Sequence, residues 1–295
     1  MSRTQGAVNI VPLESRNQIA STAKADIRHL ARQVDLVPRE QFKELLKHQK
    51  NFLNWIDSRH QELLDAKREL AISTPNSRGP KDAIYIKYRW YAEQQLLLEA
   101  INAFEAFFKN TLINLGIAIQ SYVPLDKIKG TVDAKTLWTA RDPSLTACSL
   151  IFEHQLFHNL GTVDEVTHML IENKRYNPAN RTSRTKALQA IFQIRHTLSH
   201  NQGKITQSDS TKFAVLGYTA TIGEVLDPSK DHFGQVVRDL MLKECNDFTD
   251  WLLDKTAKYL SNRYRSFGYL LQTNDKENIE RLLGSHTSIS NLPWT

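Results

Sequence analysis

Cysteine is nearly missing from this chain: Cys148 and Cys245 are the two in 295 residues, each inside a helical pattern. So few thiols exclude a disulfide framework and predict two buried free thiols. No apolar run approaches the roughly 18 residues that a membrane span requires. The N-terminal stretch MSRTQGAVNIVPLESRNQ lacks the apolar segment of a secretory signal, so a cytoplasmic protein with no membrane partner is expected. Glycine is sparse, with 11 residues, and none forms a phosphate-cradling loop or a G-x-S-x-G elbow. Nucleotide-cofactor folds and serine-hydrolase chemistry are therefore unsupported, and no cofactor is expected. Internal repeats and low-complexity tracts are absent as well.

What remains is a chain of ordinary apolar and charged content with a surplus of positive charge, +6 overall. Length alone allows one large domain or two small ones. The excess charge suits an anionic partner, and its distribution is more informative than its total. From Lys174 to Lys186 the chain reads KRYNPANRTSRTK, with Lys174, Arg175, Arg181, Arg184 and Lys186 and no acidic residue. Such a loop can contact phosphates or simply be solvated.

Helical periodicity dominates. A long helix is predicted from Pro38, with Phe42, Leu45, Phe52, Ile56 and Leu63 in rhythm, ending at the break STPNSRGP (residues 73–80). A second runs from about Lys81 to Gly116, its stripe Leu97, Ile101, Phe104, Phe108, Leu112 and Leu115 marking the core. Glu105 sits at the edge of that stripe, either bridging to Arg195 or facing water. At the start of this helix Lys87 and Arg89 alternate with aromatic rings, and core positions are expected for Tyr88 and Tyr91. Asp142-Pro143 begins a third helix, Ser144 to Asn159, with Leu156 buried. A last long helix spans His232 to about Arg265, Val236 on its buried face, and a short one Asp275 to Leu283. Between Lys212 and Leu226, β-branched residues around Gly217 and Gly223 leave room for one short β-hairpin. Residues 1–36 read as an arm with a short helix from Glu14 to Gln33.

The stretch KALQAIFQIRHTLSHNQGK, Lys186 to Lys204, places charged and imidazole groups on an otherwise apolar helix. Arg195 falls inside the stripe of Ala187, Leu188, Ile191, Ile194 and Leu198. A guanidinium there needs a carboxylate, a phosphate or a subunit boundary to offset desolvation. His196 and His200 are one turn apart at the helix end, where Asn201 and Gly203 can adopt a left-handed cap and the dipole favours an imidazolium. Arg195 and His200 lie about 140° apart on an ideal helix, so a single copy is not expected to bring them together; two copies across a twofold axis would.

Arg195-His196-Thr197-Leu198-Ser199-His200 resembles the R-[N/D/H]-x-x-x-H signature of the HEPN superfamily, and the flanking helices from Asp82 to Arg265 are similar to its layout. The resemblance implies an all-α, HEPN-like helical bundle with extra N-terminal helices. The corresponding division is an arm and accessory helix at 1–80, the helical domain at 81–270 and a tail at 271–295. It also implies a homodimeric, metal-independent endoribonuclease with Arg195 and His200 catalytic and His196, Ser199, Asn201 and Glu105 supporting. RNA would be the substrate, leaving a 2',3'-cyclic phosphate, and a partner protein in a defence or toxin system is a further implication. Two alternatives stay open: a non-catalytic module binding RNA, nucleotide or protein, and a metal-dependent hydrolase. The H-x-x-x-H pairs His154/His158 and His196/His200 prompt the second. His154 and His158, however, project away from the apolar stripe of the predicted helix toward solvent, and the glutamate of H-E-x-x-H is lacking, so no metal is expected.

Overall fold

The computed structural model describes residues 36–73, 82–130, 147–152, 155–176 and 182–295. The arm and its helix Glu14 to Gln33, the Asp142-Pro143 cap, His154 and Arg181 lie outside the described residues. Internal contacts divide the chain into residues 1–35 and a compact unit Leu36–Thr295. Among its described residues that unit contains nine α-helices and one isolated antiparallel bridge, so the fold is all-α.

Helix α1 spans Pro38–Ser73 and begins on a proline, whose missing N–H costs nothing in the first turn. Helix α2, Asp82–Ala118, is the central element. Leu97, Ile101, Phe104, Phe108, Leu112 and Leu115 along it are fully buried. It packs against α1, α3 (Ala147–Phe152), α4 (Leu160–Ile171), α5 (Ser183–His200), α7 (Phe233–Phe267) and α8 (Thr273–Leu283). An aromatic cluster fills the centre. Phe108 meets Phe248 of α7 edge-on at 5.0 Å, and Phe104 stacks on Phe192 of α5 at 6.0 Å. Burial of such rings is the main stabilising contribution, at roughly 25 cal/mol per Å² of apolar surface.

Phe42 and Leu46 of α1, Ile279 and Leu283 of α8, and Ile289 of α9 (Thr287–Ser290) all belong to the same core. Tyr122 donates to Asp275 (2.5 Å), and Asn114 to the Leu282 carbonyl (2.9 Å), fastening the tail to the end of α2.

Several expectations are corrected. No hairpin forms within 212–226: α6, Gln207–Val215, occupies its first part. The rest returns to Gly203–Ile205, with a bridge between Lys204 and Val225. The decisive local feature is a capping box, in which Thr206 and Asp209 satisfy each other's backbone N–H groups. The described part of the third helix ends at Phe152, and His158 lies in a turn. Tyr88, Tyr91, Leu156 and Val236 are exposed rather than in the core.

Candidate functional site

Helix α5 starts on Thr182, whose hydroxyl accepts from the Thr185 N–H, and buries Leu188, Ile191, Ile194 and Leu198. It ends as expected around Asn201, although the left-handed positions are Gln202 (φ 52°) and Gly203 (φ 82°) rather than Asn201 (φ −114°). The Gly203 N–H donates to the Thr197 carbonyl at 3.0 Å and closes the turn.

Along the other side of α5 runs an open recess of about 400 Å³ lined by Arg195, His196, Ser199 and His200, together with Gln189, Phe192, Gln193, His158 and Lys212. Arg195 and His200 of one copy therefore share a recess, against the divergence expected for an isolated helix. The His196 and His200 rings stand 4.8 Å apart, tilted by 47°.

Arg195 finds its carboxylate on α2. Its Nε donates to Asn102 Oδ1 at 2.5 Å, and Nη1 is 3.6 Å from Glu105 Oε2. With 36 % of its side chain exposed, the guanidinium is anchored and still accessible. The other oxygen of Glu105 lies 3.1 Å from Nδ1 of His158. This histidine, expected to face solvent, keeps 38 % of its side chain exposed while it leans edge-on against Phe192 (6.4 Å) and lines the recess. His158 lies in a turn, where a helical projection does not fix its direction.

Asn201 does not line the recess. Its Nδ2 donates to Asp209 Oδ2 at 2.9 Å, tying the end of α5 to α6. Asp209 is fully buried, and burial pushes its carboxyl up. Hydrogen bonds from Thr206, Thr197 and Asn201 outweigh that and hold it below the usual carboxylate value.

The basic segment is largely committed elsewhere. Arg175 donates to Glu244 at 3.0 Å and lies over the Trp251 ring. Arg184 pairs with Glu244 and Asp247, both at 2.6 Å. Tyr176 donates to the same Glu244, and burial with that negative charge raises its hydroxyl well above the phenol range. Lys174 lines a different recess with His168 and Glu172, and Lys186 is half-buried. None of these four lines the α5 recess.

No protein-family model, curated protein or solved structure matches the chain. Function must therefore be argued from this geometry. Among the described residues, no group of three or more His, Cys, Asp or Glu is placed to hold a metal ion, and no helix is long and apolar enough to cross a membrane.

The sequence reading missed Asn102, Lys212 and the placement of His158. Asn102 had a usable signal, since it is one turn before Glu105 and so on the same face of α2. Lys212 had none, because α6 itself went unrecognised.

Proposed function

We propose that this chain is a metal-independent endoribonuclease of the HEPN type, with Arg195 and His200 in the reaction centre. The observation that carries the proposal is the recess itself: it places the arginine, both motif histidines and Ser199 of the signature along one accessible wall, with the arginine fixed from behind by Asn102 and Glu105.

RNA cleavage by its own 2'-hydroxyl needs three things: removal of a proton from that hydroxyl, delivery of one to the leaving 5'-oxygen, and offset of the charge gathering on phosphorus. His200 in the last turn of α5 supplies one proton transfer. Arg195 offsets the phosphorane charge, and Lys212 adds a second cation. His196 and Ser199 orient the strand. The products are a 2',3'-cyclic phosphate and a 5'-hydroxyl, and DNA stays intact because it has no attacking hydroxyl. The homodimer belongs to the same proposal, a twofold partner adding its own copy of the recess.

Labelled RNA incubated with the purified chain in chelator tests the reading, with Arg195→Ala and His200→Ala alongside. Cleavage by the wild type and its loss in both variants are expected. Binding without cleavage in all three would favour a non-catalytic module, and activity abolished by chelator would favour a metal-dependent hydrolase.

A further inference from the structure

Transesterification requires two proton-transfer groups, and one question about the recess is where the second comes from. We infer that His158 is that group, held by Glu105 as the general base opposite His200, so that a single chain carries both imidazoles. The inference rests on the ribonuclease reading of the same recess.

A carboxylate only accepts, so across the 3.1 Å contact a neutral His158 donates from Nδ1 and carries its lone pair on Nε2. The carboxylate is itself steadied on its other oxygen by Arg195 at 3.6 Å. The order carboxylate, imidazole, substrate hydroxyl is the arrangement by which a carboxylate orients a base and stabilises the imidazolium it becomes. His158 keeps 38 % of its side chain exposed and lines the recess, so a strand can reach it.

His196 is the rival within the chain, and geometry disfavours it. Attacking and leaving oxygens lie on opposite sides of phosphorus, so base and acid must straddle the phosphate. The His196 ring is 4.8 Å from that of His200 on the same helix, which puts both on one side. His158 instead comes from the turn before α4 and rests on Phe192. Phe192 precedes His200 by eight residues, about 12 Å of helix axis at roughly 1.5 Å per residue. His158 and His200 thus reach the same recess from separate elements.

In the step, Nε2 of His158 takes the 2'-hydroxyl proton as the O2'–P bond forms. The P–O5' bond breaks with its electron pair going to O5', which takes the proton of the His200 imidazolium. The two histidines then exchange protons with water and return to their starting forms. No other reactant is needed.

The test is the pH dependence of kcat/KM for RNA cleavage in chelator, for the wild type, His158→Ala, His196→Ala and Glu105→Gln, with circular dichroism to verify folding. A bell-shaped profile is expected for the wild type. His158→Ala should fall by about 10² to 10³-fold and lose the acidic limb, which reports the base. Glu105→Gln should fall less and keep that limb. A His158→Ala profile that keeps both limbs, or a His196→Ala profile that loses the acidic one, overturns the assignment while the ribonuclease reading stands. Wild-type protein that leaves RNA uncut overturns both.

Discussion

Asn201 reaches from the end of α5 to the buried carboxylate of Asp209 in α6, Nδ2 to Oδ2, across 2.9 Å. The residue that follows the signature therefore joins two helices and does not touch the recess. Asn201→Ala should lower unfolding free energy by about 2 kcal/mol, as expected for a lost hydrogen bond to a charged partner. It should leave the cleavage rate of the folded protein within about threefold, since no contact in the recess is lost. Urea midpoints and cleavage rates on the same preparation check both parts.

Asp209 gives the fold an acid sensitivity of known sign. Its folded carboxyl titrates below the ordinary value of 3.8. The stabilisation is therefore fully present above that value and is lost as pH falls through the lowered folded one. Urea midpoints measured from neutral pH down to about pH 3 should fall more steeply for the wild type than for Asp209→Asn. The variant should also begin from a lower midpoint at neutral pH.

Glu244 is 1 % exposed and gathers Arg175, Arg184 and Tyr176. Removing its charge strands Arg175 and a buried phenol and leaves Arg184 with Asp247 alone. Glu244→Ala should cost about 3 kcal/mol, in the range for breaking a buried pair. Arg184→Ala should lower the melting temperature while changing RNA affinity little, because the guanidinium is already paired. Thermal melts and a binding isotherm separate the two effects.

Much of the fold was legible. α2, α5, α7 and α8 each bury a stripe at helical spacing, and the stripe on α2 matches six fully buried side chains; α1 forms, but it buries Phe42, Leu46, Gln49 and Leu53 and leaves the expected Phe52 and Leu63 exposed. α6 was not legible: its sequence QSDSTKFAV has β-branched and polar residues where a stripe should be, and its capping box is the one strong signal. In the site, Arg195 needed a carboxylate, a phosphate or a subunit boundary, and Glu105, left open between bridging to it and facing water, lies 3.6 Å away. Arg175 and Arg184 looked like surface charge because their partners, Glu244 and Asp247, are sixty or more residues away in sequence. His158 was misplaced by extending a helix beyond Phe152, where the wheel no longer applies.

Lys212 enters the recess from α6 without belonging to the signature. Lys212→Ala should weaken RNA binding by a similar factor whatever the sequence. It should also reduce the slope of log affinity against log salt by about 0.7, one released counterion on a single strand. Fluorescence anisotropy over a salt series measures this slope.

Product analysis is the most direct measurement: RNA treated with the purified chain in excess chelator, its new ends identified, with Arg195→Ala, His200→Ala and a DNA strand of the same sequence in parallel. A 2',3'-cyclic phosphate and a 5'-hydroxyl from the wild type alone, with the DNA uncut, is the predicted result. Intact RNA, or equal cleavage by His200→Ala, would contradict it.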